Sequence, residues 1–145
     1  MSIQLRDYQE SAIDAVRAAF RLYKTLLLVL STGAGKTVIF SFIARAAAEK
    51  GRKVLILAHR DQLIKQASRK LRDYGVKHGI IMAGYTPDPA SRVQVASVQT
   101  MARRIKKIRF KPDMIIIDEA HLSAAKSYRD ILAAYPDALV LGVTG

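Results

Sequence analysis

The sequence predicts an α/β fold built on a mostly parallel sheet with helices on both faces. Apolar runs of strand length alternate with stretches that repeat their apolar residues at helical spacing. The runs at 54–58 and 114–117 are apolar throughout, which is typical of parallel strands buried on both sides. Gly-Lys-Thr at 35–37 directly follows another apolar run, which is the strand–turn–helix context of a phosphate-binding loop.

The remaining elements follow from the same patterns. Gly51 and Gly75 are expected to end helices, and Asp61 is expected to begin one as its N-cap residue. Tyr8 lies at helical spacing and is assigned to the core side of the first helix. On the helix after the phosphate loop, the predicted core side is Val38, Ile39, Phe42, Ile43, Ala46 and Ala47. We predict helices over about 6–23, 36–49, 61–74, 98–105 and 123–134, and strands over about 25–30, 54–58, 78–83, 92–97, 114–117 and 138–143.

Composition limits the classes of function. At 145 residues the chain is expected to be a single domain, 1–145. Lysine and arginine number 24 against 12 acidic residues, so the net charge of +12 attracts polyanions such as nucleic acid, although a basic solvated surface would look the same. The chain has no cysteine, which excludes disulfides and thiolate metal sites. No apolar run approaches the roughly 20 residues of a membrane span, and no signal-type segment opens the chain, so we expect an intracellular (cytoplasmic or nucleoid-associated) protein without a membrane partner.

The turn at 31–37 is the first candidate site. Gly33 and Gly35 lack a Cβ, so the backbone can wrap closely around a phosphate and point its N–H groups inward. Lys36 would reach the β- and γ-phosphates, and the Thr37 hydroxyl would hold Mg²⁺. Leu30 stands where the general pattern has a glycine, which leaves open a glycine-rich turn that binds nothing.

A second candidate follows the 114–117 strand. Asp118 can bind the Mg²⁺ that bridges nucleotide phosphates, usually through water, and Glu119 can polarise the attacking water as a general base. Because ligands of parallel sheets bind at the carboxyl ends of the strands, Lys36 and Asp118 are expected to meet there. His121 has no companion at metal-ligand spacing, which argues against a zinc site.

Six segments together resemble the first RecA-like domain of superfamily 2 helicases and translocases of the DEAD/DEAH type. Residues 31–37 resemble motif I, which often lacks the first glycine, and Asp118-Glu119-Ala120-His121 matches motif II. The other four are 5–9 (the N-terminal glutamine element), 58–66 (motif Ia), 96–100 (motif Ic) and 142–145 (the start of motif III). The resemblance covers nearly the whole chain and is closer to the branch with restriction-enzyme motors and xeroderma-pigmentosum-B-like helicases than to RNA DEAD-box proteins.

The resemblance implies an ATP- and Mg²⁺-dependent motor that acts on DNA in preference to RNA. It implies Glu119 and Lys36 as catalytic residues and Thr37 and Asp118 as metal-binding residues. The residues that would contact the nucleotide are Gln9, Arg6, Thr32, Gly33, Ala34, Gly35, Lys36 and Thr37. Those that would contact the nucleic-acid backbone are Arg60, Gln66, Thr100 and Arg103. His121 would couple the nucleotide state to motif III, where Thr144 is the second coupling residue.

The same resemblance ends inside motif III, where Gly145 replaces an alanine. A second RecA-like domain, with its arginine finger, is therefore expected to come from outside 1–145, and the chain alone is expected to bind nucleotide weakly and to hydrolyse it poorly. Two other classes stay open. One is a different P-loop NTPase, such as a GTPase or small-molecule kinase, and the other is a helicase half that binds nucleic acid or a partner without turnover.

Overall fold

A computed structural model describes residues 5–30, 35–120 and 125–145 of the chain. The predicted elements are all present within these ranges, with ends that differ by at most four residues from the prediction. The helices are α1 (Asp7–Ala19), α2 (Lys36–Glu49), α3 (Asp61–Asp73), α4 (Val98–Arg104) and α5 (Lys126–Ala134), and the strands are β1 (Thr25–Val29), β2 (Val54–Ala58), β3 (His78–Ile81), β4 (Val93–Ser97), β5 (Met114–Asp118) and β6 (Leu139–Thr144).

The described strands form one six-stranded sheet in the order β1-β6-β5-β2-β4-β3, and each neighbouring pair is parallel. The prediction of a parallel α/β sheet is confirmed. Since β6 lies between β1 and β5, the carboxyl ends of these three strands lie side by side at one edge of the sheet. Ligands of open parallel sheets bind at this carboxyl edge.

Apolar side chains fill both faces of the sheet. On one face, Ile13 of α1, Phe40 of α2 and Leu71 of α3 pack against residues such as Ile56. On the other face, α4 and α5 cover residues such as Leu57, which neighbours Ile56 in β2 and so points the opposite way. Burial on both faces explains why β2 and β5 are apolar throughout.

The first helix differs from its prediction in length and in orientation. It ends at Ala19, and residues 20–22 form turns rather than a further helical turn. Tyr8 was wrongly assigned to the core, because its side chain is 42% exposed. The neighbouring Gln9 is 4% exposed instead. Helical spacing identifies a stripe of residues but does not show that a polar side chain will be buried at the end of that stripe.

Two other local predictions are corrected. In α2, Phe40 and Ala44 are fully buried, whereas Phe42 and Ala46 are only partly buried. This helix contacts α1 and α3 as well as the sheet, so apolar residues cover most of its circumference and periodicity alone could not select the innermost stripe. In α3, the N-cap residue is Arg60, and Asp61 is the first residue of the helix, where its charge still favours the helix N-terminus.

Gly51 and Gly75 do follow helices, with φ angles of 82° and 71° that favour glycine. Within the described residues, every helix is too short or too polar to cross a lipid bilayer.

Candidate nucleotide site

Lys36 joins the two predicted parts of the site. It is the first residue of α2, and its ammonium group donates a short hydrogen bond to the Glu119 carboxylate. The same Nζ atom lies 3.0 Å from Oδ1 of Asp118, as an ion pair without hydrogen-bond geometry. The residues that the sequence placed at the ends of separate strands therefore meet, and the predicted proximity of Lys36 and Asp118 is confirmed by this distance.

The two carboxylates determine the charge of Lys36. Partial burial lowers the pKa of this side chain, but the hydrogen bond to Glu119 and the negative charge of Asp118 raise it by more. The net pKa lies above the ordinary value, so Lys36 is an ammonium ion across the physiological range. A permanent positive charge is what a phosphate-binding lysine requires.

Asp118 and Glu119 are neighbours in sequence but differ in environment. The Asp118 side chain is 4% exposed and the Glu119 side chain 28% exposed. Glu119 also has a φ angle of 56°, and it is the one described non-glycine residue with positive φ. A side chain in this conformation is strained, and such strain is most often found at functional sites. The buried group is therefore suited to hold a fixed ligand, and the accessible group to meet water.

Gln9 packs directly against the last residue of the phosphate loop. Gly35 has a φ angle of 76°, and a Cβ atom built on it would overlap Nε2 of Gln9. The Gln9 side chain is held in place because its Oε1 accepts a hydrogen bond of 2.9 Å from the backbone N–H of Arg6. The predicted glutamine element thus lies beside the phosphate loop. Arg6 itself is exposed, and its guanidinium donates a hydrogen bond of 3.2 Å to the Tyr8 hydroxyl.

Strand β6 connects the two halves of the site. Leu30 is the last described residue before the phosphate loop. Its N–H donates a hydrogen bond of 2.9 Å to the carbonyl of Thr144. Two residues earlier in the strand, a Cβ atom added to Gly142 would lie 2.8 Å from Cβ of Ala120. Motif III therefore touches both the phosphate-loop strand and the turn after β5.

Tyr128 is a residue of this region that the sequence did not single out. It lies on α5, is 2% exposed, and its hydroxyl has no hydrogen-bond partner among the described residues. Burial and then the negative charges of Asp118 and Glu119 raise the pKa of Tyr128 to about 12. Its spacing on α5 is that of a core residue, so the sequence contained no signal for this proximity.

The residues present fit a magnesium ion. Oδ1 of Asp118 is buried and, apart from its ion pair with Lys36, has no polar partner among the described residues, and Thr37 follows Lys36 on the first turn of α2. The described chain contains no group of three acidic, histidine or cysteine side chains that could form a closed metal cage. Mg²⁺ is normally held by one or two protein oxygens, water and substrate phosphates, which matches this sparse donor set.

Two of the predicted nucleic-acid contacts, Arg60 and Thr100, lie close to the carboxyl ends of β2 and β4, whereas Gln66 and Arg103 lie further along the helices that follow. Arg60 follows β2 and is exposed, and Gln66 is exposed on α3. Thr100 lies on the first turn of α4, after the neighbouring strand β4, and is 2% exposed. Arg103 is exposed on the last turn of α4. Thr100 is therefore not exposed as a nucleic-acid contact in this structure, and its backbone N–H donates a hydrogen bond of 3.4 Å to Oγ of Ser97.

Four predicted site residues lie outside the described residues. They are Thr32, Gly33 and Ala34 of the phosphate loop and His121 of motif II.

Comparison with known proteins agrees with the motifs and the fold. Residues 2–145 match the family described as "Type III restriction enzyme, res subunit". A yeast protein described as "Putative ATP-dependent helicase IRC3" (Saccharomyces cerevisiae) is 45% identical; the match covers 88% of this chain and 20% of the yeast protein. The crystal structure of the UvsW helicase from Bacteriophage T4 has a TM-score of 0.81 at 25% identity, covering 99% of this chain and 53% of that chain.

A third similar protein is a Type ISP restriction-modification enzyme, LlaGI, whose nuclease-deletion mutant was solved in complex with a DNA substrate mimic. The TM-score is 0.78 at 20% identity, which shows a common fold over 99% of this chain and 17% of that enzyme. The chain thus spans about one fifth of the yeast relative and about half of this crystallised UvsW chain. It belongs to the family of type III restriction enzyme res subunits, and it has the fold of the N-terminal RecA-like domain of superfamily 2 helicases.

Proposed function

We propose that this chain is the nucleotide-binding half of an ATP-driven motor that moves on DNA. The observation that carries the proposal is the contact of Lys36 with both Asp118 and Glu119 at the carboxyl edge of the sheet. A triphosphate that binds here would take the ammonium group away from the carboxylates, since phosphate oxygens carry more negative charge. The freed carboxylates would then be available for the metal and for water.

The burial of the two acids supports separate roles. Asp118, which is almost fully buried, would hold a Mg²⁺ ion through water together with the Thr37 hydroxyl. The ion, when bound, would neutralise charge on the β- and γ-phosphates. Glu119 is more accessible and would accept the proton of the attacking water as general base. Lys36 would stabilise the charge that develops on the transferring phosphoryl group.

The glutamine element supports adenine as the nucleobase of the bound nucleotide. Gln9 carries both an amide donor and an acceptor, which can pair with the edge of adenine, and its position against Gly35 is the proximity that this role needs. GTP presents a different donor and acceptor pattern on its base. A preference for ATP over GTP that is lost in Gln9→Ala would support this assignment and would exclude a GTPase.

DNA is proposed as the nucleic acid on which the motor acts, because the chain is strongly basic and its fold is similar to that of a DNA-bound enzyme. The chain carries a net charge of +12. A similar fold is found in LlaGI, the restriction-modification enzyme solved in complex with a DNA substrate mimic. Arg60, Gln66 and Arg103 are the exposed candidates for phosphate contacts. Such contacts give affinity without sequence readout, so binding should weaken steeply as salt is raised.

The experiment has two parts. Titration of the chain with a fluorescent ATP analogue in Mg²⁺ should give saturable binding that Lys36→Ala removes and that Lys50→Ala, an exposed lysine just past the end of the same helix, leaves unchanged. In a complete motor that contains a second RecA-like domain, Glu119→Gln should retain binding and stop turnover. Equal binding by the Lys36→Ala variant, or full turnover by Glu119→Gln, would contradict the proposed site.

The expected arginine finger gives a further test of completeness. Such a residue contributes on the order of 10³ to 10⁵ in rate in related phosphoryl-transfer systems. We therefore expect the isolated chain to hydrolyse ATP very slowly and a separately supplied second RecA-like domain to restore turnover. A chain that binds nucleic acid yet gains no ATPase from that domain would instead be a non-catalytic binding module.

A further inference from the structure

A cavity of about 430 Å³ lies over the β3–β4 edge of the sheet, apart from the nucleotide site. β3 is five strand positions from β1 and three from β5, which carries Asp118; these separations correspond to about 24 Å and about 14 Å at the usual spacing of about 4.8 Å between strands. The cavity is on the face covered by α4, between the segment 87–89 and the segment 104–110. Its volume falls within the range of typical ligand pockets, which is roughly 300–1,000 Å³.

The first wall of the cavity is rigid because a buried glutamine holds it. Gln94 of β4 is 2% exposed, and its Nε2 donates hydrogen bonds of 2.7 Å to the carbonyl of Asp88 and 3.0 Å to the carbonyl of Ser91. Gly79 of the paired strand has no side chain, which leaves room for this amide. The Asp88 carboxylate is also occupied, since it accepts a hydrogen bond of 2.7 Å from the Ser91 hydroxyl.

The second wall is the turn that follows α4. The N–H groups of Lys107 and Ile108 both donate to the carbonyl of Arg104, at 2.8 and 3.0 Å. Phe110 is 8% exposed and anchors this turn in the core of the α4 face. Because both walls are held by hydrogen bonds and packing, the cavity is present before any ligand binds, which lowers the entropic cost of binding.

The lining combines an apolar interior with unpaired cations. The apolar surface comes from Ile81, Pro87, Pro89, Ile108 and Phe110. The charged lining is Arg104, Lys107 and Arg109, and none of these three forms an ion pair with another described residue. The one carboxylate in the lining, that of Asp88, is already bonded within its own loop.

We propose that this cavity is a docking site for an acidic segment of a partner protein, which inserts a large apolar side chain between the two walls. The unpaired cations would contact aspartate or glutamate residues that flank the inserted side chain. A buried apolar anchor surrounded by complementary charge is the usual form of a small, specific protein interface.

A protein segment is favoured over nucleic acid for two reasons. The cavity is on a face of the sheet, away from the carboxyl edge where Arg60 and the start of α4 lie. Single-stranded nucleic acid commonly stacks its bases on exposed aromatic rings, and the one aromatic residue of the lining, Phe110, is buried.

The test uses a short synthetic peptide with a central phenylalanine flanked by aspartate and glutamate. Amide NMR spectra of the isotope-labelled chain should show saturable shifts at Ile81, Ile108 and Phe110, and fluorescence anisotropy should give the affinity. A matched peptide with central alanine should bind more weakly. The paired substitution Arg104→Glu with Lys107→Glu should weaken binding about tenfold or more, because like charges then face each other.

The matched control is Arg21→Glu with Lys24→Glu, which changes the net charge equally at exposed positions after α1. This control should bind the peptide as the unchanged chain does. Should the first pair fail to fold, as judged from the same spectra, Arg109→Glu at the exposed mouth of the cavity provides a single-substitution test. The proposal is overturned by equal weakening in the control, by an absence of saturable peptide binding, or by stronger shifts of the cavity amides with a short single-stranded DNA.

Discussion

Gly35 offers a quantitative test of how the glutamine element meets the phosphate loop. Its φ angle of 76° is one that an alanine adopts at a cost of about 1–2 kcal/mol. The added Cβ would also overlap Nε2 of Gln9 and displace a side chain that is 4% exposed. Loss of the hydrogen bond between Gln9 and the Arg6 N–H costs about 1 kcal/mol more. We therefore expect Gly35→Ala to lower the free energy of unfolding by about 2–3 kcal/mol.

Gly51 supplies the matched control for this experiment. It has a similar φ angle of 82°, but a Cβ atom there would meet nothing within 4 Å. Gly51→Ala therefore isolates the backbone cost of about 1–2 kcal/mol. The difference between the two variants in urea unfolding measures the contact with Gln9, and it should largely disappear in a Gln9→Ala background, where the added methyl group has space.

The result that would refute this reasoning is equal destabilisation by Gly35→Ala and Gly51→Ala. The glutamine side chain would then move away from the loop at little cost, and its proposed role in recognising adenine would lose its structural basis. Persistence of the full difference in the Gln9→Ala background would equally show that another neighbour of Gly35 is responsible.

Two further predictions concern the region around Asp118, Glu119 and Ala120, the acidic turn at the end of β5. Because the pKa of Tyr128 is raised to about 12, the folded chain keeps the hydroxyl proton at pH values where the unfolded chain loses it. The resulting contribution to the free energy of unfolding is complete below pH 10 and is lost as the pH rises towards 12, so Tyr128→Phe should flatten the fall in stability that chemical denaturation measures over this range. The control Tyr23→Phe, at a 63% exposed position, should leave that fall unchanged. Gly142→Ala should lower stability by about 1–3 kcal/mol because its methyl group would lie 2.8 Å from Cβ of Ala120, and Ala120→Gly in the same chain should restore most of the loss; an unaffected melting curve for Gly142→Ala would contradict the close packing of these two segments.

Much of the fold could be predicted because local and global signals agree. The ends of β2 and of α2 match the prediction to the residue, since continuous apolar runs and glycine caps mark them clearly. The meeting of Lys36 with Asp118 could also be predicted, because parallel strands bring their carboxyl ends to one edge.

Other features could not be predicted because they depend on which elements become neighbours. The burial of Gln9 results from its contact with Gly35, and spacing along α1 contains no information about that loop. The proximity of Tyr128 to the acidic pair depends on where α5 packs. The same holds for the cavity beside Gln94, which needs the β3–β4 pairing before its two walls can face each other.

The position of β6 suggests how the two halves of the site communicate. The strand contacts the end of β1 through the bond between Leu30 and Thr144, and it contacts the acidic turn through Gly142 and Ala120. Both contacts are closely packed, with no free space that could take up a movement. A displacement of the acidic turn must therefore either displace β6 or be prevented by it. Thr144, for which a coupling role is predicted, lies at the end of this strand. We expect the double variant Gly142→Ala with Ala120→Gly to retain nucleotide binding, because it adds one methyl group and removes another. The contact between β6 and the acidic turn is changed, so the double variant should alter how strongly DNA stimulates ATP turnover in the complete motor.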